Sequence, residues 1–339
     1  MSILYLTEQN SKLRKTGGRL VIEKDNVELR EVKCFQLESV LLFGNVQVTT
    51  QALSEMLGQG ISFALLSEDG KLKGILVAPL PKNAPLRVRQ HRSLQDGDFC
   101  LKQARAAAIA KIRNGLELLK QADWDSGNKS PVLPNAADQD IRATDLEEAC
   151  GRMKHYADCI ERCTNLPSLR GFEGAAAVSY FNAFPRLLKG PNLFQGRSRR
   201  PARDPVNAVL SFGYVLLMTQ LQSLLNAVGL DPFLGYLHQV TYSRASLVLD
   251  FLESYRAPVV DRLTVRLFNL KILKSEDFDG SPDAGFRLKP AAMKRFFVEW
   301  EGILGRLKVR EAMRRQVESF LLVLKGEREI PEHFKFKAD

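Results

Sequence analysis

The chain has 339 residues, room for two domains of ordinary size, with 45% hydrophobic and 26% charged residues, the composition of a globular protein rather than a disordered or fibrous one. Lys and Arg total 49 against 39 for Asp and Glu, a formal net charge of +10 that favours a polyanionic partner, nucleic acid first. Five cysteines without a paired pattern argue against a disulfide scaffold and for a reducing cytoplasm.

From the N-terminus the pattern is mainly β. Ile3–Leu6 is a short strand, and Arg19–Ile22 runs into the turn pair Asp25-Asn26. Val40–Phe43 is apolar and is followed by Gly44-Asn45 and the alternating Val46 and Val48. Ser62–Leu66 and Leu72–Val77 flank Glu68-Asp69-Gly70 as a hairpin. Thr50 is the expected N-cap of one helix carrying Ala52, Leu53, Met56 and Leu57. Prolines 79, 81 and 85 introduce a mixed basic stretch, and a domain boundary is placed there, with a β-rich domain over residues 1–90 and an α-helical domain over residues 91–339.

Beyond the boundary the period becomes helical. Helices are expected over 99–123, 141–164, 168–189, 205–229, 244–255, 258–273 and 290–325, with a loop from Trp124 to Asp140. Asp204-Pro205 and Asp231-Pro232 read as helix starts, an N-cap followed by Pro. The uncharged stretch Pro205–Leu230 carries too many Asn, Gln, Ser and Thr side chains for a bilayer span and reads as a buried helix; no secretory signal is recognised, and no membrane partner is expected. Cys150, His155, Cys159 and Cys163 resemble a zinc set, but one helix spreads them over about 20 Å, whereas zinc gathers its donors within about 2.3 Å.

Four residues carry the candidate chemistry. Asp250 and Glu253 stand three apart in an unusually apolar run and would share a helix face. Their carboxylates repel unless a cation lies between them. His238 lies just upstream in Gly235-Tyr236-Leu237-His238, and Glu173 sits in Gly171-Phe172-Glu173-Gly174 near a helix start, where it could equally balance the dipole. One imidazole with two or three carboxylates suits Mg²⁺ or Mn²⁺. Between them Arg186–Arg203 holds six basic residues and no acid, and Arg199, Arg200 and Arg203 are the expected contacts to DNA phosphates. Tyr180 and Tyr242 could stack near frayed DNA ends, but aromatic core packing is the favoured reading for both.

At these residues the sequence resembles the CRISPR-associated integrase family, the catalytic subunit of spacer acquisition. The matching segments, in order, are Gly171–Gly174, Arg203–Asn207 into Leu210–Tyr214, Gly229–Pro232, Gly235–His238, Leu249–Glu253 and Arg256–Arg262. Gly44–Thr49 resembles the family's β domain. The resemblance implies an α+β chain, a β-sandwich-like N-terminal domain followed by a larger all-α catalytic domain. It implies metal ligands at Glu173, His238 and Glu253, with Asp250 in a supporting role. It implies a homodimer formed through the N-terminal domain, and a small ferredoxin-like CRISPR adaptation protein as partner. The implied activity is metal-dependent: an endonuclease and integrase that joins double-stranded DNA with free 3′ ends into CRISPR repeat DNA. A non-catalytic DNA-binding protein, or a helical scaffold with a solvated acidic face, would share the charge but would not need the three ligands to converge.

Overall fold

The structure, a computed structural model, describes residues 2–78, 83–127, 136–189 and 194–337, and of residues 122–127 and 136–145 it describes the backbone alone. Residues 128–135, in the expected loop, lie outside it. The chain forms two compact units, one of residues 1–83 with 215–230 and one of residues 84–214 with 231–339. The division near residue 83 precedes the expected boundary by a few residues.

The first unit is a pair of four-stranded sheets. One has the order β1-β5-β7-β8 (Ser2–Leu6, Leu37–Phe43, Ser62–Leu66, Leu72–Leu76), with β1, β5 and β7 parallel and β8 antiparallel. The other has the order β4-β3-β2-β6 (Val27–Lys33, Arg19–Lys24, Ser11–Thr16, Val46–Val48). Leu4, Leu13, Leu20, Ile22, Val40, Leu42 and Phe63, from both sheets, share one core with Ala52 and Met56 of α1 (Thr50–Gly58). That shared core makes the unit a sandwich. The central strand β5 is buried along nearly its whole length, as a strand covered on both faces must be. Asp25 and Asn26 both have positive φ (50° and 63°), the turn that suits a tight hairpin between β3 and β4.

Two strands of this unit are not expected from the sequence. In β2 and β4 charged residues alternate with few apolar ones, because their outer faces carry cross-strand ion pairs such as Arg14–Glu23 and Arg19–Glu31. The cap of α1 is Thr49, one residue earlier than expected, whose side chain accepts from Ala52 N at 3.3 Å. β4 is an edge strand, and it and the turn after it expose Val27, Leu29 and Phe35.

The second unit is helical: α2 (Ala84–Ser93), α3 (Gly97–Gly127), α4 (Ala136–Arg162), α5 (Leu166–Ala183), the first turns of α6 (Pro205–Ala227), α7 (Ser246–Leu252), α8 (Arg262–Asn269), α9 (Pro290–Arg306) and α10 (Val309–Lys325). Helices α3, α4 and α5 pack mutually, α2 packs on α10, and α8 packs on α9. A two-stranded ribbon, β9 with β10 (Phe278–Asp279, Arg287–Leu288), precedes α9. Among the described residues α6 alone is long and apolar enough to cross a membrane, and it is mostly buried, with Val206, Val209, Leu210, Leu216 and Leu217 inaccessible.

The structure corrects three expected elements. No helix starts at Asp231-Pro232; Asp231 instead accepts from Phe233 N at 2.8 Å in a local turn. The helix expected over 290–325 is two helices, broken at Lys308, whose φ is +50°. Between α7 and α8 the run Arg256–Asp261 is a π-helical turn containing Pro258, so Asp250 and Glu253 do not belong to one long helix; α7 ends at Leu252. Such turns widen a helix locally and recur at functional sites.

Candidate active site

The site begins with a loop pressed against α7. A Cβ on Gly235 would lie 2.6 Å from the backbone of Ser246, so only glycine lets the two segments approach this closely. The approach brings the N–H groups of Tyr236 (2.6 Å) and Leu237 (3.0 Å) to Asp250 Oδ2, and that of His238 (2.9 Å) to Oδ1. From the other side the Arg170 guanidinium donates to the carbonyl of Leu237 at 2.5 Å. The His238 ring completes the arrangement: with a carboxylate as acceptor, Nδ1–H donates to Asp250 Oδ1 at 2.7 Å. Asp250 is thus fully engaged by protein donors. It fixes the tautomer that leaves His238 Nε2 with a free lone pair.

That nitrogen lies 3.6 Å from Glu253 Oε1. Glu253, only 2% exposed, adopts helical dihedrals just past α7 and so stays on the side of Asp250. Glu173 lies two turns into α5, which starts at Leu166 behind the Asn165 cap; it is too far from the helix start to balance the dipole. Glu173 and Glu253 meet through a cation of the protein itself. The Lys111 ammonium, from α3, contacts Glu173 Oε1 and lies 2.9 Å from Glu253 Oε2. Arg256 Nε lies 3.1 Å from the same oxygen.

Among the described residues no three His, Cys, Asp or Glu side chains form a ready metal cage; Glu173 joins the other two only through Lys111. The donor set nonetheless suits a divalent cation. Glu253 Oε2 is buried and makes no hydrogen bond of proper geometry with the cations beside it. Burial alone would raise the Glu253 carboxyl, but Arg256, Lys111 and His238 outweigh it and hold it at about 2. Burial opposes the charge on Lys111 and on Arg256; the neighbouring carboxylates, Glu253 foremost, outweigh it and raise both. The Glu253 carboxylate is therefore anionic and already gathers positive charge around it.

Behind Arg256 lies a second buried group, Asp261, to which the sequence alone gives no role. Asp261 accepts from the hydroxyls of Tyr180 (2.7 Å) and Tyr214 (2.5 Å). Burial raises its carboxyl to about 6, against the hydroxyl donors and the nearby arginines. The Tyr214 ring carries Arg256 at 4.7 Å and Arg197 at 5.5 Å from its centroid. A Cβ on Gly213 would meet Val260 at 2.6 Å, so glycine allows α6 to reach the π-helical turn here.

Of the arginine loop, Arg199, Arg200 and Arg203 are exposed, whereas Arg197 turns inward to Asn207 Oδ1 (2.7 Å) and Ser211 Oγ (3.0 Å). Asp204 caps α6 as expected, accepting from Asn207 N at 2.7 Å. Tyr180 is core, but Tyr242 is not: it is 99% exposed in the turn after His238, where Ser243 adopts φ +58°. Cys159 and His155 touch at 3.5 Å across one turn of α4 without gathering Cys150 and Cys163.

The imidazole–carboxylate cluster lies in the helical unit of a chain that also carries a β sandwich, and comparison with known proteins identifies the family. Residues 4–302 match the family model of CRISPR associated protein Cas1. The chain belongs to the Cas1 family. It is 34% identical over 340 residues to "CRISPR-associated endonuclease Cas1 3" of Thermus thermophilus, covering 96% of this chain and 95% of that one. It is 33% identical to "CRISPR-associated endonuclease Cas1 2" of Rhodospirillum rubrum, covering 89% and 86%. In fold it is similar to a Cas1 protein from Thermotoga maritima, with TM-score 0.80, 23% identity and full coverage of both chains. The expected α+β architecture matches that fold.

Proposed function

We propose that this chain is a divalent-cation-dependent DNA endonuclease and integrase of CRISPR adaptation. The observation that carries the reading is that the Lys111 ammonium joins Glu173 of α5 to Glu253 at the end of α7, while His238 Nε2 of the 235–238 loop lies 3.6 Å from the other oxygen of Glu253. Glu173, His238 and Glu253 would hold Mg²⁺ or Mn²⁺ once Lys111 withdraws. Bound there, the ion supplies positive charge that stabilises a phosphodiester under in-line attack.

The chain's own residues do the rest. Asp250 keeps His238 in the tautomer that presents Nε2. Arg256 and the released Lys111 remain beside the reacting phosphate as cations. Arg199, Arg200 and Arg203 hold the DNA backbone without reading bases. With the 3′-hydroxyl of incoming DNA as nucleophile the product is a joined strand at CRISPR repeat DNA; with water it is a nick.

The exposed edge strand β4 with Val27, Leu29 and Phe35 supports a homodimer through the N-terminal unit. Solved structures of similar fold include one named a Cas6-RT-Cas1–Cas2 complex. In line with that name, a small ferredoxin-like CRISPR protein is the proposed partner. The five free thiols fit a reducing cytoplasm as the place of action. A Mn²⁺-dependent strand-transfer and nicking assay tests the reading. Glu173→Ala and His238→Ala should each lose about 100-fold or more; undiminished turnover in both would reject the site. In the same assay series Arg199→Ala with Arg200→Ala should flatten the salt dependence of DNA binding.

A further inference from the structure

Tyr180 and Tyr214 are both buried and both donate a hydroxyl to Asp261, yet their rings keep different company. The Tyr180 ring packs against Phe181 and Phe184, at 5.1 and 6.1 Å between centroids. The Tyr214 ring meets two guanidinium groups, Arg256 at 4.7 Å and Arg197 at 5.5 Å from its centroid. Both arginines lead to the proposed chemistry. Arg256 Nε lies 3.1 Å from Glu253 Oε2, and Arg197 is the inward root of the loop that exposes Arg199, Arg200 and Arg203.

Taking a guanidinium largely out of water is costly unless something negative replaces its hydration. An aliphatic side chain at position 214 would offer nothing. The tyrosine ring offers a negative face, and its hydroxyl, given to the Asp261 carboxylate, leaves more electron density in the ring. The neighbouring ion pair does not fix the guanidinium plane. Glu253 Oε2 and Arg256 Nε are both buried, and neither makes a hydrogen bond of proper geometry. The ring face sets the orientation instead, and Glu253 Oε2 stays uncommitted with a cation beside it. We propose that Tyr214 is a positioning residue for DNA cleavage and joining: its ring holds Arg256 beside Glu253 in the orientation that serves the reacting phosphate, and Asp261 fixes the ring. The proposal rests on the nuclease and integrase reading of the Glu253 site.

The test replaces Tyr214 by phenylalanine and then by phenylalanines bearing one, two and three ring fluorines. Fluorine drains the ring face of negative charge and adds little volume, so the series reads the ring's charge rather than its packing. With Mn²⁺ and DNA, kcat should fall about fivefold from the unfluorinated to the trifluorinated ring, the size of a partly desolvated cation–π contact, while KM for DNA changes less than about twofold. The same series at Tyr180, which shares Asp261 but faces aromatic rings, should leave kcat flat. A second readout needs neither metal nor turnover. In the metal-free full chain Tm should fall by about 2 °C across the Tyr214 series, and by less than about half of that in Arg256→Met. A flat kcat across the Tyr214 series would overturn the proposal, as would an equal fall at Tyr180 or a Tm series as steep in Arg256→Met as in the parent. The two readings fail differently: no turnover in the parent chain overturns the nuclease reading and this role with it, whereas turnover indifferent to fluorine at Tyr214 overturns the positioning role alone.

Discussion

Asp250 shows what one residue is asked to do. Its carboxylate takes three backbone N–H groups and the His238 ring, so it cannot also face a metal without giving one of them up. Its work is to hold His238 in one orientation. Asp250→Asn keeps the size but puts an amide N–H₂ where a donor must be accepted, and either the loop or the ring loses its partner. Mn²⁺ affinity and strand transfer should both fall about 10- to 100-fold, the usual effect of removing such a support. Calorimetric titration of Mn²⁺ beside the activity assay checks this; unchanged affinity would mean that His238 is held by something else. At this scale the site was largely legible in the sequence. Acids in an apolar run must be neutralised by something, and that made Asp250 and Glu253 visible. Lys111 was not, because in the Ala-rich stretch of α3 it looks like any solvated helix lysine; only folding reveals that it is enclosed by two carboxylates.

At the scale of elements, the decisive feature is the close approach of the 235–238 loop to α7. Gly235→Ala places a methyl 2.6 Å from Ser246 backbone, which must move. The N–H groups of residues 236–238 then leave Asp250. The variant should fold, lose about 1–3 kcal/mol of stability as an over-packed contact does, and lose more activity than stability. Thermal denaturation read beside strand transfer decides; full activity at reduced stability would detach the loop from the chemistry. Asp231-Pro232 satisfies the local rules for a helix start, an N-cap followed by Pro, yet none forms there. Tertiary demand won: the segment spends its N–H groups on Asp250 instead of on a helix. The long helices α3 to α6 were legible from periodicity, whereas charged β2 and β4 were hidden because ion pairs, not apolar alternation, occupy their outer faces.

At the scale of the whole chain, the C-terminal segment ties the helical unit together. Asn114, one turn beyond Lys111 on α3, donates to the carbonyls of Ser254 (2.6 Å) and Phe334 (2.8 Å) and accepts from Phe336 N (3.0 Å). The chain next to Glu253 and the segment after α10 are thereby fastened to the helix that carries Lys111. Within that segment His333 approaches Gln316 Nε2 through Nδ1 at 3.2 Å, and its Nε2 is buried without a partner. Burial lowers its pKa to about 4. The unfolded chain therefore takes up a proton near pH 6.5 that the folded chain refuses until about 4, so stability is complete above pH 6.5 and declines as pH falls through that window. At pH 5 the loss is about 2 kcal/mol. In His333→Gln the fall in Tm between pH 7 and pH 5 should shrink by a corresponding amount; an unchanged fall would show that other groups govern acid stability.

For the proposed chemistry one divalent ion must replace the Lys111 ammonium between Glu173 and Glu253. Diffraction from crystals soaked in Mn²⁺, with anomalous differences recorded at the manganese edge, tests this directly. One peak per chain is expected within ligand distance of Glu173, His238 Nε2 and Glu253, with Lys111 displaced, and no such peak in Glu173→Ala. Lys111 still bridging the two carboxylates in saturating Mn²⁺, with no peak at the site, would contradict it.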